Sequence, residues 1–162
     1  MLMSTLFSFL ETCATQEQMD AALRTVTPDI AAIVNVASPA VAYSFELPLT
    51  GFVRRQPDDD GMIAATNHFV DPSWGIPPPE PDSENAWTAL RRSNLLAFAG
   101  ANKGAFDVAK VAHVMATAIA EGGVFDAGAI YQVVVVPADL TITLRAPNHF
   151  DWQEIDLKHF FY

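Results

Sequence analysis

The sequence of 162 residues contains a single cysteine, Cys13. An internal disulfide is therefore excluded, and a cysteine-rich metal site with it. Cations are scarce: nine Lys and Arg stand against nineteen Asp and Glu, a formal charge of −10, with a pI near 4.5. Nucleic-acid binding needs clustered Lys and Arg to neutralise phosphates, so nucleic acid is not expected as a partner. An anionic membrane surface is disfavoured for the same reason. No apolar run approaches the roughly 18 residues of a spanning helix. Residues 1–10 are apolar but show neither a positive n-region nor a small-residue cleavage site. They are expected to belong to the fold rather than to a signal peptide, which points to a cytoplasmic location. Internal repeats and Gly-rich phosphate loops are also missing.

What remains is an apolar chain. Apolar residues make up 51% and charged residues 17%, and the mean hydropathy is +0.19. Disorder needs the opposite balance. The length suits one domain or subunit spanning 1–162, able to bury roughly 70% of its unfolded surface. The apolar excess points to surface that meets something other than water.

Leu2, Leu6, Phe9 and Leu10 recur at helical spacing. Thr15 and Gln18 form a capping-box pattern opening a second helix over 16–25, which Pro28 ends. The β-branched run 30–36 and the alternating run 41–47 predict a hairpin. Residues 54–60 read as a solvated polar loop, and 62–69 as a third strand. Residues 71–82 hold five prolines together with Trp74. Proline is unsuited to a strand or helix interior, so an ordered loop anchored by Trp74 is expected. Asp82 or Ser83 is an N-cap candidate for a helix over 84–99, and a further helix is expected over 106–120. Runs 131–136 and 141–145 predict a second hairpin. Paired helices and clustered hairpins indicate α+β, with antiparallel sheet packed against helices, rather than alternating βαβ.

Candidate chemistry is sparse. His68 with Asp71, and His149 with Asp151, lack the further ligands a metal site requires. His113 and His159 read as surface or half-buried residues. Cys13 has no histidine near it in sequence to act as base. No GxSxG elbow supports a serine nucleophile. Asp58, Asp59 and Asp60 read as a solvated charge run. Asn67, in the run Ala64-Ala65-Thr66-Asn67-His68-Phe69, is either a turn cap or a donor aimed into a cleft. Such a donor can stabilise the oxyanion of an acyl-transfer intermediate. Arg91 and Arg92 are either salt-bridged surface or cations for the same cleft.

Taken together, Thr66-Asn67-His68-Phe69, the proline-rich loop, Ser83 and a helix carrying Arg91-Arg92 resemble a known pattern. It is the C-terminal half of the penicillin acyltransferase and choloylglycine hydrolase relatives, N-terminal-nucleophile (Ntn) hydrolases of linear amides. Asn102-Lys103-Gly104, residues 131–137 and 140–145, Trp152 and Ile155-Asp156-Leu157 extend the resemblance over most of the chain. It implies an αββα sandwich in which a processed N-terminal Cys attacks an amide carbonyl, with its own α-amine as base. It implies that Asn67 helps form the oxyanion hole and that Arg91 lines the nucleophile's pocket, Arg92 being the other candidate. His68 and Phe69 would flank that pocket and Trp74 would line it. No metal and no cofactor are implied, and the substrate is a small-molecule amide. Cys13 falls at a helical position of the pattern, so the nucleophile is expected from elsewhere. The chain would then be one subunit of a two-chain enzyme, a truncated product, or a descendant kept for another purpose. The rival expectations are a non-catalytic acidic α+β module that self-associates, and a small-molecule binding domain lidded by the proline loop.

Overall fold

A computed structural model describes residues 2–81 and 83–160. It is mixed α+β, with four α-helices and two three-stranded antiparallel sheets among the described residues. The chain falls into two compact units divided between Pro78 and Pro79, inside the proline-rich stretch.

The first unit opens with α1 (Leu2–Thr12) and α2 (Gln16–Leu23). The Thr15 hydroxyl accepts from the Gln18 N–H, and the Gln18 carboxamide oxygen accepts from the Thr15 N–H. This is the capping box expected from sequence, and such a cap contributes about 1 kcal/mol. Strands β1 (Ala32–Ala37), β2 (Ala42–Leu47) and β3 (Val53–Arg55) form a sheet in that order. Phe45 and Leu47 on one face of β2 pack with Met19 and Leu23 of α2 into the buried core. Leu6, Phe9, Val34, Val36 and Tyr43 close around it. The side chains of Leu2 and Leu10, also placed on this stripe by the sequence, lie outside the described residues.

Ser44 and Glu46 point to the opposite face, since side chains alternate along a strand. Both are fully buried, so β2 is covered on its polar side too. The register sets Ser44 against Arg55 and Glu46 against Val53, which makes Glu46 and Arg55 diagonal neighbours on one face.

Two expectations need correction here. Arg54 and Arg55 are not loop residues: they end β3. No strand forms over 62–69. There the Met62 N–H and the Ala64 carbonyl bond to the side chains of Asp58 and Arg55.

The second unit contains α3 (Ala86–Ala101) and α4 (Val108–Ala116). The cap position of α3 is Asn85, whereas Ser83 donates its hydroxyl to the Glu80 C=O one turn earlier. Asp82 lies outside the described residues. Asp107 caps α4 by accepting from the Lys110 N–H. The helix expected over 106–120 stops at Ala116, and a 3₁₀ turn follows at Ile119–Glu121. The Asn94 carboxamide donates to the Ile119 and Gly123 carbonyls at 2.9 and 2.7 Å, tying that turn to α3. A Cβ on Gly123 would lie 2.0 Å from the Thr117 carbonyl oxygen, so only glycine permits this doubling back.

Strands β4 (Gln132–Val136), β5 (Thr141–Ala146) and β6 (Phe150–Asp156) follow in sheet order β4-β5-β6. The expected hairpin is present, and β6 adds a strand the sequence did not announce. Gln132, Val134 and Thr143 are buried on one face, where the Gln132 amide donates to the Met115 carbonyl of α4. The opposite face carries Val133, Val135, Ile142, Leu144 and Ile155. On it Val135 is 54% and Ile155 39% exposed. β4 pairs with a strand on one side only among the described residues. No helix is long and apolar enough to cross a membrane.

Candidate functional site

The centre of the first unit's polar face is the Glu46 carboxylate. It sits in a strand whose neighbours Phe45 and Leu47 fix it by packing into the core on the other side. Its Oε1 accepts the Val70 N–H at 2.9 Å. Its Oε2 accepts the Asp71 N–H at 3.2 Å and the Trp74 indole N–H at 2.7 Å. The Arg55 guanidinium lies 3.6 Å from Oε1. Arg55 in turn donates through both terminal nitrogens, each at 3.3 Å, to the Ala64 carbonyl.

These bonds hold residues 65–69 as an arch. One foot, Ala64, is held by Arg55, and the other, Val70 with Asp71, by Glu46. Three backbone groups of this non-strand segment, the Ala64 carbonyl and the Val70 and Asp71 N–H groups, are thus met by a buried ion pair rather than by a neighbouring strand. Thr66 is buried within the arch, and Asn67 is exposed at a bend near its middle. Asn67 is therefore not at a strand end, as its sequence context suggested. The Thr66 hydroxyl and His68 Nδ1 are 3.2 Å apart. The Phe69 and Trp74 rings pack at 6.3 Å between centroids.

Beyond the arch, Pro72–Trp74 forms a 3₁₀ turn capped by Asp71. The Trp74 ring lies over Gly51, where φ is +101° and an added Cβ would stand 3.0 Å from the ring. The sequence expectation that Trp74 anchors the proline-rich stretch is met at this point. The Ser73 hydroxyl, then the Ser73 N–H, and to a lesser extent nearby Arg55 hold the Asp71 carboxyl below its ordinary 3.8. A carboxyl lowered in the folded state contributes stability above its unfolded pKa and loses it as pH falls through the folded value. Acidification below 3.8 is thus expected to loosen this turn and shift Trp74 emission to the red. Asp71→Asn should remove that acid-dependent step; if the step persists unchanged in Asp71→Asn, the cap is not its origin.

The other residues marked in the sequence stand on other elements. Arg91 and Arg92 are half-buried on α3 in the second unit, and the Arg91 guanidinium stacks 5.2 Å from the centre of the Trp87 ring. Asp151 is exposed and 3.6 Å from Arg145, whereas His149 stands on the β5–β6 turn. His113 and His159 are exposed. Asp58, Asp59 and Asp60 are exposed as well, and Asp58 accepts from the Asp60 and Met62 N–H groups. Among the described residues, no three His, Cys, Asp or Glu gather as a metal site.

Cys13 lines a concavity of about 390 Å³ with Thr15, Gln16, Met19, Val36 and Val41 among others. No histidine, lysine or arginine is among the described residues that line it. The Cys13 N–H donates to the Phe9 carbonyl at the end of α1.

Sequence reasoning missed Glu46 and Arg55. The available signal was a Glu in the middle of an apolar strand and an Arg pair just past a Gly turn. Both patterns usually mean a solvent-facing edge, so the burial could not be read from them. Comparison with protein-family models, curated proteins and solved structures finds no match.

Proposed function

We propose that this chain is the C-terminal part of a linear-amide hydrolase or acyltransferase of the N-terminal-nucleophile type. In this reading Asn67 is an oxyanion-hole donor and Arg91 a pocket cation, with Arg92 the alternative. Both serve a Cys nucleophile carried outside these 162 residues. The observation that carries the reading is the arch: an exposed carboxamide on a loop whose two feet are fixed by a buried ion pair. Catalysis of acyl transfer rewards a donor that is already in place before charge develops.

The chemistry runs as follows. The external Cys sulfur attacks the amide carbon as its own α-amine takes the thiol proton, and the carbonyl π electrons move to oxygen. The Asn67 N–H donates to that oxyanion. Collapse re-forms the carbonyl and breaks the C–N bond, and the leaving amine takes a proton from the nucleophile's α-ammonium. Water, or an acceptor amine in the acyltransferase case, then cleaves the thioester and restores the thiol. His68, Phe69 and Trp74 would border the substrate, with the Phe69–Trp74 ring pair offering an apolar wall for an acyl group.

The finer fold that accompanies this reading is the αββα sandwich. It draws support from the second unit's sheet, helix-covered on one face and apolar on the other, as a strand layer awaiting a second layer should be. The open edge of β4 suits pairing with a further strand, so a second chain or another copy is the expected partner. A non-catalytic self-associating module draws on the same apolar face.

The deciding experiment uses the complete native protein with penicillin V and choloylglycine as probes. Amine release is followed together with the mass of any acyl-enzyme. Turnover that disappears when the N-terminal Cys is replaced is the expected result. A stable homo-oligomer without a Cys-bearing segment, with neither turnover nor adduct, would favour the module.

A further inference from the structure

We propose that Glu46 and Arg55 are positioning residues for Asn67, setting where its carboxamide stands rather than only holding the sheet together. The proposal deepens the amide-hydrolase reading and rests on it.

The pair directs its hydrogen bonds away from its own sheet. Arg55 holds the Ala64 carbonyl, and Glu46 holds the Val70 and Asp71 N–H groups. Everything between those feet is the arch that displays Asn67. An apolar pair of similar volume would often be as stabilising as a buried ion pair, or more so. It would offer no acceptor for two N–H groups of a non-strand segment. The charged pair therefore supplies what stability alone does not need, a fixed register for this loop.

The acceptor capacity of the carboxylate is fully used. Three N–H donors and the guanidinium occupy its two oxygens, which is about all a carboxylate accepts. Sliding the arch by one residue would bring a carbonyl against the carboxylate or leave a donor unmet. Trp74 closes the third side, its N–H on Glu46 and its ring on Gly51. The Ser73–Asp71 cap then holds the turn that carries Trp74. A donor displaced by about 1 Å can lose about 100-fold in rate, so control of this register is control of catalysis.

The test is a double-mutant cycle on the complete enzyme, assayed with penicillin V and choloylglycine. Glu46→Gln is expected to lower kcat by about 10- to 100-fold with KM changed less than about twofold. Arg55→Lys, which keeps the charge but narrows the fork, should fall between Glu46→Gln and wild type. In an Asn67→Ala background, Glu46→Gln should have no further effect on kcat, because the pair acts through Asn67. Equal losses in both backgrounds would overturn the proposal and leave the pair a purely structural element. If Asn67→Ala itself leaves kcat unchanged, the oxyanion reading fails, and the positioning role with it. Trp74→Phe keeps the ring and removes one hydrogen bond. It runs through the same cycle should Glu46→Gln fail to fold, with the same dependence on Asn67 expected and independence again overturning the proposal.

Discussion

On the proposed amide-hydrolase reading, Asn67→Ala in the complete protein is expected to lower kcat by about 10²–10³, equivalent to about 2.7–4 kcal/mol of transition-state stabilisation. KM should hardly move, because the oxyanion exists only after attack and its donor contributes little to ground-state binding. Asn67 is exposed at a bend, so a stability measurement on the same variant separates any effect on the fold from the loss of rate. Asn67→Asp is the sharper companion. It keeps the size of the side chain but places a carboxylate beside the developing oxyanion, so its loss should exceed that of alanine. Steady-state kinetics with penicillin V and choloylglycine, paired with urea unfolding of each variant, measures both arms. Full activity in Asn67→Ala would remove this residue from the mechanism.

Glu46→Ala should lower the stability of the first unit by about 3–5 kcal/mol. Removal of the carboxylate leaves the Arg55 guanidinium, only 14% exposed, without its ion-pair partner. It also leaves the Val70 and Asp71 N–H groups and the Trp74 indole N–H without their acceptor. Combining Glu46→Leu with Arg55→Met removes both charges at similar volume and should recover much of that loss, though not the ordered arch. Urea unfolding followed by Trp74 emission, with Trp87 and Trp152 replaced by Phe, reads this unit alone. A cost below about 1 kcal/mol for Glu46→Ala would mean that the carboxylate is not enclosed as described.

The parts of this fold that sequence made legible are those fixed by short-range rules. Thr15 and Gln18 cap α2 because both partners lie within one turn. The β4–β5 hairpin follows from a valine run, a proline turn and an alternating return. β6 escaped notice because a register shift between Leu144 and Ala146 breaks its pairing. Phe150, Trp152 and Ile155 consequently do not repeat with a period of two. The expected strand at 62–69 failed for a different reason. Its apolar start met the pattern, but the Ala64 carbonyl goes to Arg55, and the Val70 and Asp71 N–H groups just past it go to Glu46. The site divides in the same manner. Asn67 stood out through its neighbours in sequence, whereas the pair beneath it depends on which face of β2 is covered, a tertiary fact that periodicity does not encode.

β4 has a bearing on how such a chain must be made. Four consecutive valines follow Gln132 along its length, next to the exposed Ile130 and Tyr131. A stretch of this kind recruits its own likeness when left uncapped at high concentration. Dispersed material should therefore be easier to keep from dilute than from concentrated preparations, and a charge placed at Val135 should widen that range.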